Sequence, residues 1–254
     1  MQKNKKYLDN FELVRYGKEE VEKNPNKDQL IKIEKYSNWK YQLPLIISRK
    51  KLIDNDGKFI NPYYYEIFEQ YLMLKYIKPN DIVLEIGARY GVVSNTINLL
   101  LNDRTKHVVV EPDLTVIDAL KQNRKIFNSS FSIVNRPISN DKNLYFVLND
   151  IGSYVTSGKP KEKSIKIKTI SSKTFFKKYP FKFNVLVVDC EGCLEKILDE
   201  NLFLLKQLEL IIFERDNETK CDYEKIYEIL FNNNFLQADQ LLDNFQQVWI
   251  KKSK

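Results

Sequence analysis

Apolar and polar positions alternate with two different periods along this chain, and the switch between them marks the elements. The stretch DIVLEIGARYG (81–91) sets the pattern. Ile82, Val83, Leu84 and Ile86 form an apolar run with β-branched character, glycines stand at Gly87 and Gly91, and a further apolar run from Val92 to Leu101 follows. This predicts strand, tight turn, helix. Glycine suits such a turn because the backbone must take positive φ or let a ligand reach the main chain, and the helix start leaves amide donors free.

The same rhythm continues downstream. Strand candidates are HVVVEP (107–112), FSIVNRPIS (131–139), LYFVL (144–148), SIKIKTI (164–170), VLVVDCEG (185–192) and LELIIFER (208–215). Helices are expected around Leu114–Phe127, at Ser171–Lys178, from Cys193 to about Leu205 and over Tyr223–Asn232. Continuous apolar strands separated by helices predict a parallel sheet covered on both faces. The chain closes with FLQADQLL and FQQVWIKK joined through Asp243 and Asn244, which reads as an antiparallel hairpin at a sheet edge. The expected fold is therefore α/β, a doubly wound, mostly parallel seven-stranded sheet with an antiparallel C-terminal hairpin.

Upstream, residues 1–40 mix Lys, Glu and Asn with scattered aromatics, as short amphipathic helices over a core would. Asn55-Asp56-Gly57 between two apolar stretches is a hairpin signal. Asn61-Pro62 is placed to start a helix over PYYYEIFEQYLMLKYI, and Lys78-Pro79-Asn80-Asp81 ends it. Residues 1–60 thus read as an N-terminal extension, serving as a cover for an acceptor pocket or as a homodimer contact, and residues 61–254 as the main domain. No internal repeat or low-complexity linker divides the chain.

Composition narrows the class. At 254 residues, with 43% hydrophobic and 30% charged residues, the chain can bury a substantial core. The net charge of +7 raises the question of nucleic acid, but 41 basic residues are interleaved with 34 acidic ones along the whole length and no basic tract stands out, which disfavours that partner. No run approaches membrane-spanning length, and no apolar segment follows the N-terminal lysines, so a cytoplasmic protein is expected. Three cysteines, an odd number without framework spacing, argue against a disulfide scaffold. Cys190 and Cys193 have CxxC spacing, but a zinc site needs two more ligands and only Cys221 and His107 remain. No metal site is assigned to cysteine.

The candidate chemistry lies at the strand ends. Glu111 stands where a carboxylate usually holds a ribose in nucleotide-binding α/β folds. The turn Gly87-Ala88-Arg89-Tyr90-Gly91 lacks the three-glycine fingerprint that receives a pyrophosphate, and Glu85 precedes it, so a cationic ligand such as S-adenosylmethionine suits the site better than a diphosphate. Acids also crown two later strands, as Asp189 with Glu191 and as Glu214. Three clustered carboxylates can also hold a divalent cation, an alternative the sequence leaves open. His107 begins its strand and so belongs to the end of the sheet away from this site.

The turn EIGARYG, the strand end Glu111-Pro112, the turn Gly152-Ser153, the segment IKIKTIS, the motif VVDCEGCLEKIL and the strand LIIFE together resemble FkbM-type methyltransferases, a branch of the class I S-adenosylmethionine-dependent enzymes. The likeness covers roughly residues 75–250, and its most specific piece is Asp189-Cys190-Glu191-Gly192 followed by Glu195. The chain departs from the family in Glu85, where Asp is usual, in Arg89, where Asn is usual, and after Thr169-Ile170, where Ser171 replaces an Asp. The resemblance implies methyl transfer to a hydroxyl of a sugar, glycan or other small molecule. It implies cofactor contacts from Glu85, Gly87, Ala88, Arg89, Tyr90, Gly91, Glu111, Pro112, Arg136, Pro137, Ile138 and Asp189. Catalytic roles fall to Asp189 as base or hydrogen-bond acceptor, with Glu191 and Glu214 orienting the acceptor, and Asp150, Gly152 and Ser153 form a loop over it. The competing readings are an RNA methyltransferase, and a degenerate binding module in which Arg89 fills the sulfonium pocket.

Overall fold

The computed structural model describes residues 43–48, 50–62, 65–148, 153–160 and 162–252. The expected N-terminal helices (1–40), Asp150 and Gly152 lie outside the described residues.

A five-residue helix α1 (Pro44–Ser48) leads into strands β1 (Leu52–Ile53) and β2 (Phe59–Ile60), which form the hairpin anticipated from Asn55-Asp56-Gly57. The Asp54 carboxylate closes its turn by accepting from the amides of Asp56 and Lys58, and Gly57 supplies the positive φ of 77°. The hairpin is tied to the body of the protein through Asn123, whose side chain exchanges hydrogen bonds with the Ile53 backbone at 2.9 and 2.8 Å.

Helix α2 (Ile67–Tyr76) starts five residues later than Asn61-Pro62 suggested. The intervening turn is held by Gln70, whose buried amide donates to the carbonyls of Pro62 and Tyr65. Then come β3 (Val83–Ile86), α3 (Val92–Leu100), β4 (His107–Val110), α4 (Ile117–Ile126) and β5 (Ser132–Val134). Three further strands follow, β6 (Leu144–Val147), β7 (Tyr154–Ser157) and β8 (Ser164–Lys166), and after them α5 (Ser172–Lys178), whose N-cap Ser171 accepts from the Thr174 amide. The chain continues through β9 (Val185–Val188), α6 (Leu194–Glu200), a 3-10 turn (Leu202–Lys206), β10 (Leu210–Glu214), α7 (Tyr223–Asn232), β11 (Phe235–Leu241) and β12 (Gln246–Lys251).

The main sheet has seven strands in the order β11-β12-β10-β9-β3-β4-β5. The five from β10 to β5 are parallel, and β12 is antiparallel to both β10 and β11, so the C-terminal hairpin adds to the sheet edge as expected. This is a Rossmann-like, doubly wound arrangement. β3, β4, β9 and β10 are buried along their whole length, which is why the sequence shows continuous apolar runs there.

Strand alternation divides the core. Leu84, Ile86, Leu186, Val188, Ile211 and Phe213 face one side, packed against α5, α6 and α7. Val83, Val185, Val187, Leu210 and Ile212 face the other, against α2 and α3.

The expectation for β6 and β8 needs correcting. They are not strands of the parallel sheet but belong to a separate antiparallel sheet, β7-β6-β8, in which β6 is the middle strand and β7, four residues long and half polar, was not anticipated from the sequence. Ile165 to Lys168 alternates apolar and cationic residues, the mark of a strand with one solvated face rather than of a buried parallel strand. Asp141 anchors this small sheet: its carboxylate accepts from Ser157 and from the Lys196 ammonium of α6, both at about 3 Å (2.8 and 3.1 Å).

Candidate functional site

The order of strands reverses between β3 and β9. From β3 the chain winds outward through β4 and β5, and it then returns to β9 on the other side. Ligands of open α/β sheets bind at the carboxyl ends of strands at such a point. The turn after β3 is shaped for close approach. Gly87, Arg89 and Gly91 take φ of 88°, 44° and 81°, and Gly91 is the N-cap of α3. A β-carbon at Gly87 would overlap the carbonyl oxygen of Asp189, so β3 and β9 meet here without room for a side chain.

Glu111, one residue beyond β4, crosses to this turn. Its Oε2 accepts from the amides of Ala88 (3.0 Å) and Arg89 (2.7 Å), and its Oε1 accepts from the Asp113 amide (2.8 Å). Two amide donors of the glycine turn are therefore already filled by a carboxylate of the protein itself. Burial pushes the Glu111 pKa up, and these three amides oppose the shift. A carboxylate has about four lone-pair sites, so one remains for a ligand hydroxyl.

Around this point lies a cavity of about 690 Å³. It brings together most of the residues singled out from sequence: Gly87, Ala88, Arg89, Tyr90, Glu111, Pro112, Pro137, Ile138, Ser153, Asp189 and Glu191 all line it. Tyr90 is fixed by its hydroxyl, which donates to Asn55 of the N-terminal hairpin at 2.7 Å. Arg89 is exposed, with its guanidinium 5.3 Å from the centre of the Tyr90 ring.

Four of the residues do not line this cavity. Gly91 caps α3, and Arg136 is exposed beside Pro137. Glu85 is buried within β3, where its carboxylate accepts from Ser94 (2.8 Å) and meets the His107 ring nitrogen at 2.8 Å. Glu214 points toward α2, where the amide of Gln246 donates to both Glu214 (2.9 Å) and Glu69 (2.7 Å). Alternation explains both acids: Glu85 shares the parity of Val83, and Glu214 that of Ile212, which is the α2/α3 face. The orientation of an acceptor by Glu214 and the holding of a cofactor ammonium by Glu85 are thus not what these side chains do here. His107 begins its strand as expected, yet its ring is a buried partner of Glu85.

Asp189 stands between the two regions. It lines the main cavity and also a small gap on the α2 side, about 20 Å³ in volume, shared with Glu66, Glu69, Glu85 and Glu214. Burial first, then the charges of Asp216, Glu69 and Glu191, push its pKa well above the ordinary aspartate value, with Arg89 acting in the opposite sense. Glu214 is likewise raised well above the ordinary range, by burial and by the charges of Asp189, Glu69 and Asp216. Glu69 is raised as well, by burial first. For Asp189 as base or hydrogen-bond acceptor the direction matters, because a positive charge placed beside it favours the ionised carboxylate and opposes this rise. Among the described residues no group of three or more His, Cys, Asp or Glu has metal-binding geometry.

Several wall residues were not foreseen. β9 ends at Val188, and left-handed conformations at Glu191 (φ 56°) and Gly192 (φ 94°) turn the chain. The Asp216 carboxylate accepts from the Glu191 amide at 2.5 Å. Lys220 reaches across this turn, its ammonium against the Tyr154 ring, and burial lowers its pKa while Glu191, Glu162 and Asp216 oppose the shift. Lys196 lines the cavity while bound to Asp141 and Ser157. Phe146 and Tyr154 enter from the small sheet. The cysteines were expected to build no disulfide scaffold, and what they form is one local bond: Cys190 and Cys193 are bonded to each other, with Cys221 free and buried. The CxxC spacing was the available signal.

No family model matches the chain. No curated protein matches it either. Among solved structures, it is similar to a precorrin-6y C5,15-methyltransferase from Geobacter metallireducens GS-15, at 14% identity and a TM-score of 0.45 over 74% of this chain and 90% of that one. An O-methyltransferase from Bacillus cereus, in complex with SAH, is 11% identical with a TM-score of 0.44, covering 76% of this chain and 82% of that one. An rRNA methylase from Streptococcus thermophilus is 9% identical with a TM-score of 0.43, covering 76% and 98%. Likeness at this depth carries no argument about chemistry, and the fold is read from the strand order itself. Among the described residues no helix is long and apolar enough to cross a membrane.

Proposed function

We propose that this chain is an S-adenosylmethionine-dependent methyltransferase acting on a hydroxyl of a glycan or other small molecule. One observation carries the reading. At the point where strand order reverses, a cavity of nucleoside-plus-acceptor size is walled by Glu111, Asp189 and Glu191, and the Ala88 and Arg89 amides of its glycine turn are occupied by Glu111. A phosphate would have to displace Glu111 from those two amides, whereas a ligand with a ribose and positive charges finds an acceptor and an acidic wall. The more specific FkbM reading is supported by the placement of Asp189 and Glu191 on that wall, as the motif implies.

The residues fit such a ligand. Glu111 has a lone-pair site left for a ribose hydroxyl, Pro137 and Ile138 offer an apolar slot for a purine edge, and the carbonyl-rich junction of Gly87 with Asp189 faces the ligand's cationic part. Bound S-adenosylmethionine supplies a methyl group activated by a sulfonium. Asp189 and Glu191 offer oxygens to an acceptor hydroxyl, and Lys220, less basic than an ordinary lysine, stands across the cavity as a proton acceptor when neutral. The small antiparallel sheet covers the acceptor side with Phe146 and Tyr154 and limits water there. Exposure of Arg89 supports the enzyme over a degenerate module in which this side chain plugs the pocket.

Titration calorimetry with S-adenosylhomocysteine tests the proposal. Micromolar binding is expected, and no heat at millimolar ligand would overturn it.

A further inference from the structure

Cys190 and Cys193 close a disulfide in the cavity wall, and both are half-buried, open to the space the ligand would occupy. Three observations make this bond more than a local staple. It spans only Glu191 and Gly192, both held in left-handed conformations, and a non-glycine residue does not adopt that region without cost. Its first cysteine follows Asp189, whose carbonyl packs directly on Gly87 of the glycine turn. Its sulfur environment suits exchange, since the Cys193 amide donates to the Cys190 Sγ at 3.1 Å and so supports negative charge on that sulfur. The third cysteine takes no part: Cys221 is buried, and burial raises its pKa.

We infer that Cys190 and Cys193 are a reversible redox pair whose state sets the shape of the ligand cavity. The exchange partner is a low-molecular-weight disulfide such as oxidised glutathione. The Cys190 thiolate attacks one of its sulfurs and a glutathione thiolate leaves. The Cys193 thiolate then attacks the Cys190 sulfur of the mixed disulfide and releases the second glutathione. Two cysteine thiols are oxidised, one glutathione disulfide is reduced to two thiols, and the two cysteine protons pass to the leaving thiolates. In the disulfide form the 189–193 turn is locked with the Asp189 carbonyl on Gly87. In the dithiol form the constraint on Glu191 and Gly192 is released, and the wall carrying Asp189 and Glu191 loosens. The effect on a nucleoside ligand rests on the methyltransferase reading, whereas the redox pair does not.

The full chain is equilibrated in glutathione buffers from fully reduced to fully oxidised, quenched with iodoacetamide and weighed by mass spectrometry. Residues 190 and 193 are expected to gain or lose alkylation together, with the square dependence on glutathione of an internal disulfide. Thiols that stay free in oxidised glutathione, or that stop at mixed disulfides, overturn the pair. Hydrogen exchange then compares the amides of residues 187–193 in the two forms, with exchange at least about tenfold faster expected in the dithiol form. Equal rates overturn the change of shape. Calorimetry with S-adenosylhomocysteine is expected to show affinities differing by at least about fivefold between the forms, with the Cys190→Ser/Cys193→Ser variant behaving as the reduced form in every buffer. Equal affinities overturn the coupling to the ligand. Absence of binding in all forms strikes the methyltransferase reading instead, and the alkylation pattern and exchange rates still decide the redox pair and its change of shape.

Discussion

The backbone of Gly87 lies directly on the carbonyl oxygen of Asp189, with no space for a β-carbon between them. This contact joins the two strands at which the sheet reverses order, and it sets the turn that carries cofactor-type amides against the wall that carries the acids.

Replacement of Gly87 by Ala should therefore cost more than the strain of its positive φ alone. Overlap with main-chain atoms adds to that strain, and a loss of about 3 kcal/mol or more is expected in urea unfolding. Gly57→Ala serves as the comparison, since Gly57 has a similar φ of 77° but nothing within 4 Å. About 1 kcal/mol is expected there.

Loss of the Glu111 carboxylate should disturb fold and ligand together. Glu111→Gln leaves a single oxygen for three backbone donors and sets an amide N–H group against them. Destabilisation of about 1–3 kcal/mol is expected, with S-adenosylhomocysteine affinity falling by at least about tenfold. Unchanged affinity in calorimetry would detach Glu111 from the ribose.

Binding of a cation beside Asp189 should release a proton. The free-state pKa of Asp189 is raised by burial and by neighbouring acids, so a positive ligand favours the ionised form and brings the value down. Between the bound and free values the complex holds fewer protons than the apoprotein, and affinity rises with pH across that window, whose upper end, the free value, lies above the ordinary aspartate value of 3.8. Calorimetry of S-adenosylmethionine in buffers of different ionisation enthalpy reads the released proton directly, and Asp189→Asn should abolish it.

Glu214 makes a related prediction about stability. Its folded-state value is raised well above the ordinary 4.5, so the folded protein holds a proton that the unfolded chain gives up. That stabilisation is present in full below about pH 4.5 and is lost as pH climbs through the folded value. Glu214→Gln keeps a donor toward Glu69 without a titrating proton. Thermal melts from acid to mildly alkaline pH should show the variant losing less stability than the parent over that rise.

Arg89 supplies a test between an open and a plugged site. With Arg89 an exposed residue whose guanidinium lies beside Tyr90, Arg89→Ala should change S-adenosylhomocysteine affinity by less than about threefold. A gain of more than about tenfold would show that the side chain occupies the ligand's place.

Much of this was legible in the chain. The apolar runs of β3, β4, β9 and β10 could be read because strands buried on both faces need uninterrupted hydrophobic residues. The hairpins at Asn55-Asp56-Gly57 and Asp243-Asn244 were announced by residues that tolerate positive φ. The start of α2 was misplaced because Asn61-Pro62 opens a turn stabilised by Gln70, a contact made eight residues away. β6 and β8 were assigned to the wrong sheet because a short apolar strand carries no label for its neighbours.

For the site, the sequence by itself determined which residue types end each strand: a glycine turn after β3, an acid after β4, and Asp-Cys-Glu-Gly after β9. Local spacing suffices for that, since a strand, a turn and a helix start are each decided within a few residues. Only the tertiary structure decided which of these acids share a cavity. Strand alternation places Glu85 and Glu214 on a common face, but which face meets the ligand depends on where α2 and the small sheet pack, and those are contacts between residues far apart in the chain.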